Sequence, residues 1–203
     1  MKIDKETYWI SENNYYKTVI PKTQIIVGMS LRKDNRHIIR LQHKEHGDTK
    51  KWNTYTISRN GTVYQHYDDK YHTDFLGIKE GDKRSISIVL ENMGSLFLLA
   101  TDKYIDWLNE VCEKENVIEK EWLGYEYWEK FSDKQIESLI GLCKKLCTKH
   151  GIPKNFIEFN NYHKEIHKFK GIVFRSNYIE DSSDMNPLLD IANLNEMLHN
   201  KTV

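Results

Sequence analysis

The stretch that most constrains the fold is SISIVLENMG, at positions 85–94. Ile86, Ile88 and Leu90 alternate with small or polar neighbours, a pattern typical of a strand in a half-buried or central sheet. The ENMG that ends the stretch indicates a turn. Residues 23–30, TQIIVGMS, are apolar along most of their length, as a central strand should be. The sequence therefore predicts a buried sheet.

Helical signals accompany these strands. Ser132 and Gln135 form a capping box ahead of an apolar helix face, and Gly151 is placed to end that helix. Shorter helices are predicted at residues 35–46 and 187–198. A further helix is predicted at residues 101–115, where Tyr104 and Trp107 could form an interface.

An Asn-Gly pair at positions 60 and 61 predicts a hairpin with a two-residue type I′ turn between residues 52–58 and 63–66. Residues 171–174 predict one more strand. No Ser/Gly-rich linker and no fixed-period repeat divides the chain. We therefore expect a single α/β domain over residues 1–203, with an N-terminal extension at 1–20 and a helical and aromatic insertion at 97–131.

Charge and hydropathy narrow the possible partners. Thirty basic and thirty acidic residues give a formal net charge of zero, which argues against a nucleic-acid partner. No apolar run approaches the length of a membrane span, and the first 14 residues lack the apolar stretch of a secretion signal. We expect no nucleic-acid partner, no membrane partner and no signal peptide.

The three cysteines are an odd number, which argues for reduced thiols rather than disulfides. Two of them lie one helical turn apart and could hold a metal with nearby histidines, but their place on the apolar face of the long helix favours core packing. This alternative site would use Cys143 and Cys147 either with His150 or with the pair His163 and His167. An aromatic run between positions 122 and 131 could stack sugars, fill a partner interface, or pack in the core and loops.

Five segments together resemble the zinc-dependent N-acetylmuramoyl-L-alanine amidase family, the type 2 amidases, which cut peptidoglycan between the sugar and the stem peptide. They are TYTISRNGT (54–62), DDKYHTDFLG (68–77), SISIVLENMGSL (85–96), WLGYEYWEKFSDKQ (122–135) and GIVFRSNYIEDSSDMNP (171–187). The resemblance spans roughly residues 23–198. It implies an amidase type 2-like α/β fold, a central mixed β-sheet flanked by helices. It also implies a zinc ion with one position open for water.

The same match places other residues where the family has its chemical groups. Arginine has no lone pair for a metal, so Arg175 at a histidine position excludes the usual zinc site. Among the positions that hold the family's zinc ligands, only Asp184 is still a residue of the family's type. The match implies eight vestigial groove positions: Gly28, Thr54, Tyr55, Phe75, Val89, Arg175, Ser182 and Asp184.

These replacements lead us to expect a pseudoenzyme with no metal or cofactor, acting as a structural or binding component of a larger assembly. We expect the protein to be located in a tailed-phage virion, most specifically in the tail, or in the host cytoplasm before assembly. Other virion proteins would be its partners. The alternative is an active endolysin that cleaves the N-acetylmuramoyl-L-alanine bond and uses zinc. A third possibility is an inert fold in which Arg175 still meets a stem-peptide carboxylate.

Overall fold

The computed structural model describes residues 2–42, 50–180, 182, 184–187 and 189–200. Its central sheet contains six strands: β1 (Ile3–Asp4), β2 (Gln24–Met29), β3 (Tyr55–Ile57), β4 (Val63–Gln65), β5 (Ser85–Leu90) and β11 (Gly171–Phe174). Their spatial order is β1-β4-β3-β5-β2-β11. Only β3 and β4 pair antiparallel among these neighbours, so the sheet is mixed, as predicted.

One face of this sheet is covered by the long helix α3 (Asp133–His150), which packs against α4 (Ile191–His199). Every residue of β2 and β5 is buried. The capping box is present: Ser132 Oγ accepts from the Gln135 backbone N–H at 3.2 Å, and Gln135 Oε1 accepts from the Ser132 N–H at 3.1 Å. Gly151 ends the helix in the left-handed conformation. The prediction for this helix is confirmed, while α4 begins four residues later than predicted.

The other face is covered by α1 (Arg36–Gln42) and by the N-terminal segment. Ile10, Tyr15, Ile38, Trp52 and Tyr67 form a second buried cluster there. Since β1 pairs with β4, the predicted extension contributes a strand to the sheet. The end of the helix predicted at 35–46 lies outside the described residues. A short helix, α2 (Lys79–Arg84), leads into β5.

The hairpin of β3 and β4 is confirmed, but its predicted turn type is wrong. A type I′ turn needs positive φ at both central residues. Here Gly61 has φ of 85°, whereas Asn60 does not enter the left-handed region. The Ser58 N–H donates to the Thr62 carbonyl at 3.0 Å and the Gly61 N–H to the Ser58 carbonyl at 2.9 Å. The loop is therefore longer than two residues and uses a single left-handed glycine.

A second, antiparallel sheet has the order β8-β7-β6-β10-β9. Its strands are β6 (Ser95–Leu98), β7 (Tyr104–Ile105), β8 (Val111–Cys112), β9 (Val117–Trp122) and β10 (Tyr125–Glu129). The helix predicted at 101–115 is therefore wrong, and the insertion at 97–131 is aromatic but not helical. Asp102 and Asn109 adopt φ of 57° and 62°, which reverses the chain before β7 and before β8. Within the described ranges, no helix has the length and apolar character to cross a membrane.

Candidate functional site

A cleft of about 300 Å³ opens beside the carboxyl ends of β2, β5 and β11. Ligands of sheets with helices on both faces commonly bind at this edge. The loop after β2, the helix α1 and the hairpin of β7 and β8 contribute to its walls. The cleft lining includes the side chains of Arg32, His37, Arg40, Lys51, Trp107 and Arg175.

Five of the eight predicted positions converge at this cleft. Gly28 is the register partner of Val89 across the parallel pair of β2 and β5. A Cβ added to Gly28 would lie 3.3 Å from Arg175 Cβ and 3.4 Å from Asp184 Oδ1. The Phe75 ring lies 5.3 Å from the guanidinium carbon of Arg175. Phe75, Val89 and Arg175 line the cleft.

The other three positions lie elsewhere. The Tyr55 side chain faces the α3 side, because Thr56 is the register partner of Val89 and side chains alternate along a strand. Its hydroxyl donates to Asp69 at 2.8 Å. Thr54 lies deeper, with its hydroxyl 2.9 Å from that of Tyr67. The Ser182 hydroxyl accepts from the Asp184 N–H at 3.2 Å and so supports the loop rather than lining the cleft.

The centre of the site is an ion pair between Arg175 and Asp184. Arg175 Nη1 donates to Asp184 Oδ2, and the Met29 N–H donates to Asp184 Oδ1 at 2.7 Å. Asp184 is almost fully buried, whereas the Arg175 side chain is 30% exposed. Burial raises the pKa of Asp184, and the Arg175 charge opposes that rise. Arg175 starts a 3-10 turn that Asn177 fixes by accepting from the Phe174 N–H at 2.7 Å.

The residues that the sequence resemblance assigns to the family's ligand positions do not fit a zinc ion. Gly28 and Phe75 have no donor atom, and the guanidinium of Arg175 has no lone pair. Asp184 Oδ2 already accepts from Arg175. No cluster of three or more His, Cys, Asp or Glu side chains suited to a metal occurs in the described part of the chain.

The alternative cysteine site is not formed either. Cys143 and Cys147 are buried in the core beneath the sheet, so their predicted packing role is confirmed. Burial raises the pKa of Cys147 to about 11, which keeps the group a neutral thiol. His150 Nε2 lies 3.1 Å from Asp69, and His163 and His167 are solvent-exposed.

A chain of buried hydrogen bonds leads to His37 in the cleft. His37 Nε2 lies 2.9 Å from Asn53 Oδ1, and Asn53 Nδ2 donates to Thr56 Oγ1 at 2.8 Å. Thr56 Oγ1 lies 2.8 Å from His66 Nε2, and His66 Nδ1 lies 3.0 Å from the Tyr8 carbonyl. A carbonyl oxygen only accepts, so His66 carries its proton on Nδ1. Its Nε2 then accepts a hydrogen bond from the Thr56 hydroxyl.

The direction of this chain assigns the tautomer of His37. Because the amide nitrogen of Asn53 donates to Thr56, its oxygen accepts, and His37 therefore carries its proton on Nε2. Nδ1 then holds a lone pair. Burial, with smaller contributions from the nearby arginines, lowers the pKa of His37 to about 4. The imidazole is neutral at pH 7.

The cleft is cationic although the chain as a whole is neutral. Arg32, Arg40, Lys51 and Arg175 line it, and no described residue of the lining is acidic. The buried Nε atoms of Arg40 and Arg175 have no hydrogen-bond partner among the described residues. Such a surface attracts carboxylates, which arginine binds through paired N–H donors.

Fold and cleft together define an α/β domain with a cationic ligand site at the strand ends. The chain belongs to the N-acetylmuramoyl-L-alanine amidase family, whose model matches residues 24–171. The resemblance inferred from its motifs is thus confirmed at the level of the family and the fold. No protein with a curated description matches the sequence significantly.

Solved structures agree on the fold. The amidase LysC from Clostridium intestinale URNW superposes with a TM-score of 0.58 at 13% identity, covering 99% of each chain. The catalytic domain of XlyA gives 0.58 at 15% identity, covering 98% of this chain and 99% of the other. The Staphylococcus aureus hydrolase AmiA, solved with its ligand, gives 0.53 at 10% identity, covering 92% and 73%.

These findings correct our expectation that the chain is not an enzyme. Membership of an amidase family points to an enzyme, and that match does not indicate inactivation. The expectation followed from the replaced zinc ligands alone. The replacements show which side chains the site contains. They do not show whether these side chains can hydrolyse a bound amide.

Proposed function

We propose that this protein is a peptidoglycan amidase that cleaves the bond between N-acetylmuramic acid and the first alanine of the stem peptide. The observation that carries the proposal is the cationic cleft at the strand ends of an amidase-family fold. The stem peptide bears free carboxylates, and Arg32, Arg40 and Lys51 supply the complementary charges. The sequence-based alternative, an inert fold in which Arg175 meets a stem-peptide carboxylate, gives Arg175 a different role from the one proposed here.

The chemistry is assigned to side chains of this chain, because the family's zinc does not fit the residues present. Arg175 keeps one terminal nitrogen beyond the bond to Asp184, and that nitrogen is the donor for the substrate carbonyl oxygen. His37 Nδ1 is the acceptor for a proton of the attacking water. The water oxygen bonds to the carbonyl carbon, the carbon–nitrogen bond breaks, and the proton passes to the departing amine of alanine. Only water is consumed.

The test is digestion of purified peptidoglycan sacculi. Amidase cleavage releases peptides with a new N-terminal alanine and creates no reducing sugar ends, so amine labelling and a reducing-end assay separate it from glycan cleavage. We expect Arg175→Ala and His37→Ala to reduce peptide release by tenfold or more, in line with the loss of one general base or charge donor. Arg84→Ala is the matched control, because Arg84 is exposed and pairs with the exposed Glu80.

The proposal is wrong if folded protein releases no peptide from sacculi of several peptide chemistries. It is also wrong if release proceeds unchanged in both cleft variants, since the chemistry would then lie elsewhere.

A location in a tailed-phage virion, or in the host cytoplasm before assembly, stays a prediction from the sequence. A virion-borne amidase is compatible with it. Mass spectrometry of purified particles tests this: a fixed copy number per particle would support a structural partner, and its absence from particles would remove that role.

A further inference from the structure

The hairpin of β7 and β8 carries an exposed tryptophan to the rim of the cleft. Trp107 is 55% exposed and lines the same cavity as Arg175. Exposed tryptophans in fixed positions are frequent centres of binding energy, because the indole offers a large flat surface with few rotatable bonds.

The Trp107 ring is fixed from two directions. Its Nε1 donates to the Leu31 carbonyl at 2.8 Å. The guanidinium carbon of Arg32 lies 5.1 Å from the ring centroid, over the ring. The indole is therefore oriented before any ligand arrives, and binding needs little further ordering of this side chain.

The hairpin also contacts the loop after β2 and the start of α1. Lys33 Nζ donates to the Val111 carbonyl at 3.0 Å, and Arg36 pairs with Glu110. Within the turn, buried Asp106 accepts from the N–H groups of Leu108 at 2.8 Å and Glu110 at 2.9 Å. Trp107 thus belongs to a rigid wall.

The backbone under the ring is strained. Leu31, whose carbonyl receives the indole N–H, has φ of 52°, a conformation that a leucine rarely adopts. Strain of this kind persists where surrounding contacts impose it, and it is concentrated at binding sites. Here it directs the Leu31 carbonyl to Trp107.

We propose that Trp107 is the stacking platform for an N-acetylated amino sugar of the glycan strand. This inference rests on the proposed function, in which the cationic part of the cleft takes the stem peptide. The remaining part of the substrate is a pyranose ring, whose C–H face is apolar and flat, and Trp107 is an exposed, flat apolar surface in the same cleft as Arg175.

The experiment uses the full chain and a peptide-free probe, the tetramer of N-acetylglucosamine. Titration is followed by the indole N–H signals in a ¹⁵N NMR spectrum, with Trp107 assigned from Trp107→Phe. We expect the Trp107 signal to shift, Trp107→Ala to weaken binding by tenfold or more, and Trp107→Phe to keep part of the affinity. Trp9→Ala is the matched control, because Trp9 is also exposed, at 44%.

Each outcome separates this inference from the amidase proposal. Binding of the tetramer that depends on Trp107, without peptide release from sacculi, would support the sugar platform and remove the amidase. Peptide release with the same KM in wild type and Trp107→Ala would keep the amidase and overturn the platform. Equal tetramer affinity of Trp107→Ala and Trp9→Ala, or no Trp107 shift, would also overturn it.

Discussion

Replacing Arg175 by methionine removes the cation that faces a buried carboxylate. Asp184 is 2% exposed and would keep one donor, the Met29 N–H at 2.7 Å. Breaking a buried ion pair from one side costs about 3–5 kcal/mol, because the remaining charge is left uncompensated. The Arg175 side chain is 30% exposed, so water reduces this figure, and we expect about 2–3 kcal/mol. For a chain of this size the melting temperature should fall by about 5–10 °C.

The stability cost of Arg175→Met should depend on pH, and the pKa of Asp184 sets the direction of that dependence. Burial already raises the pKa of Asp184, and Arg175 is the group that restrains the rise. Without Arg175 the folded-state pKa moves further above the unfolded value. The cost of the variant is therefore fully present above that raised pKa and shrinks as the pH falls through it, where the carboxyl takes up a proton.

Urea unfolding followed by tryptophan fluorescence at pH 7.5 and pH 5 measures both effects. Asp184→Asn, which removes the charge and leaves an oxygen for Met29, should cost only about 1 kcal/mol. The double variant Arg175→Met with Asp184→Leu should recover most of the loss. Arg84→Met, an exposed control, should stay within about 0.5 kcal/mol. The reasoning is refuted if Arg175→Met costs no more than Asp184→Asn, or if its cost does not fall as the pH is lowered over the range in which the wild type stays folded.

Three further predictions concern the helix cap, the metal and the base. Ser132→Ala should lower the free energy of unfolding by about 1 kcal/mol, since it removes the cap acceptor for Gln135 N–H; an unchanged urea midpoint would contradict this. Elemental analysis of untagged protein should find well under one zinc per chain, and 1,10-phenanthroline should not change the melting temperature; stoichiometric zinc would show that the ligands lie elsewhere. Because the pKa of His37 is about 4, its Nδ1 is unprotonated throughout the range from about pH 5.5 to 8, and peptide release should be flat there; a rise centred on pH 6–7 would point to another base.

The fold was predictable where local chemistry and long-range packing agree. The helix α3 has a capping box, an apolar face and a glycine after its end, and all three were readable from the sequence. The insertion was misread because Tyr104, Trp107, Leu108 and Val111 happen to follow helical spacing. Asp102 and Asn109 carried the contrary signal, since Asp and Asn tolerate the left-handed conformation best after glycine.

The site was predictable only in its centre. Gly28, Phe75, Val89, Arg175 and Asp184 could be placed together because the family resemblance supplied the topology that local patterns lack. The chain from Tyr8 through His66, Thr56 and Asn53 to His37 had no sequence signal. Its members come from separate segments that only the sheet brings together, and only Thr56 lies within a segment that resembles the family.

The replaced positions form one interdependent unit. A buried carboxylate needs a cation, and in this chain Arg175 takes that role for Asp184. The Arg175 side chain occupies the space in front of Gly28, where even a Cβ would come within 3.3 Å of it, and Phe75 covers the guanidinium. A histidine at position 28 would overlap this arrangement, while loss of Arg175 alone would leave Asp184 unpaired. The departures from the family pattern are thus coupled by packing and charge, and any chemistry of this site has to be performed by the guanidinium and its neighbours.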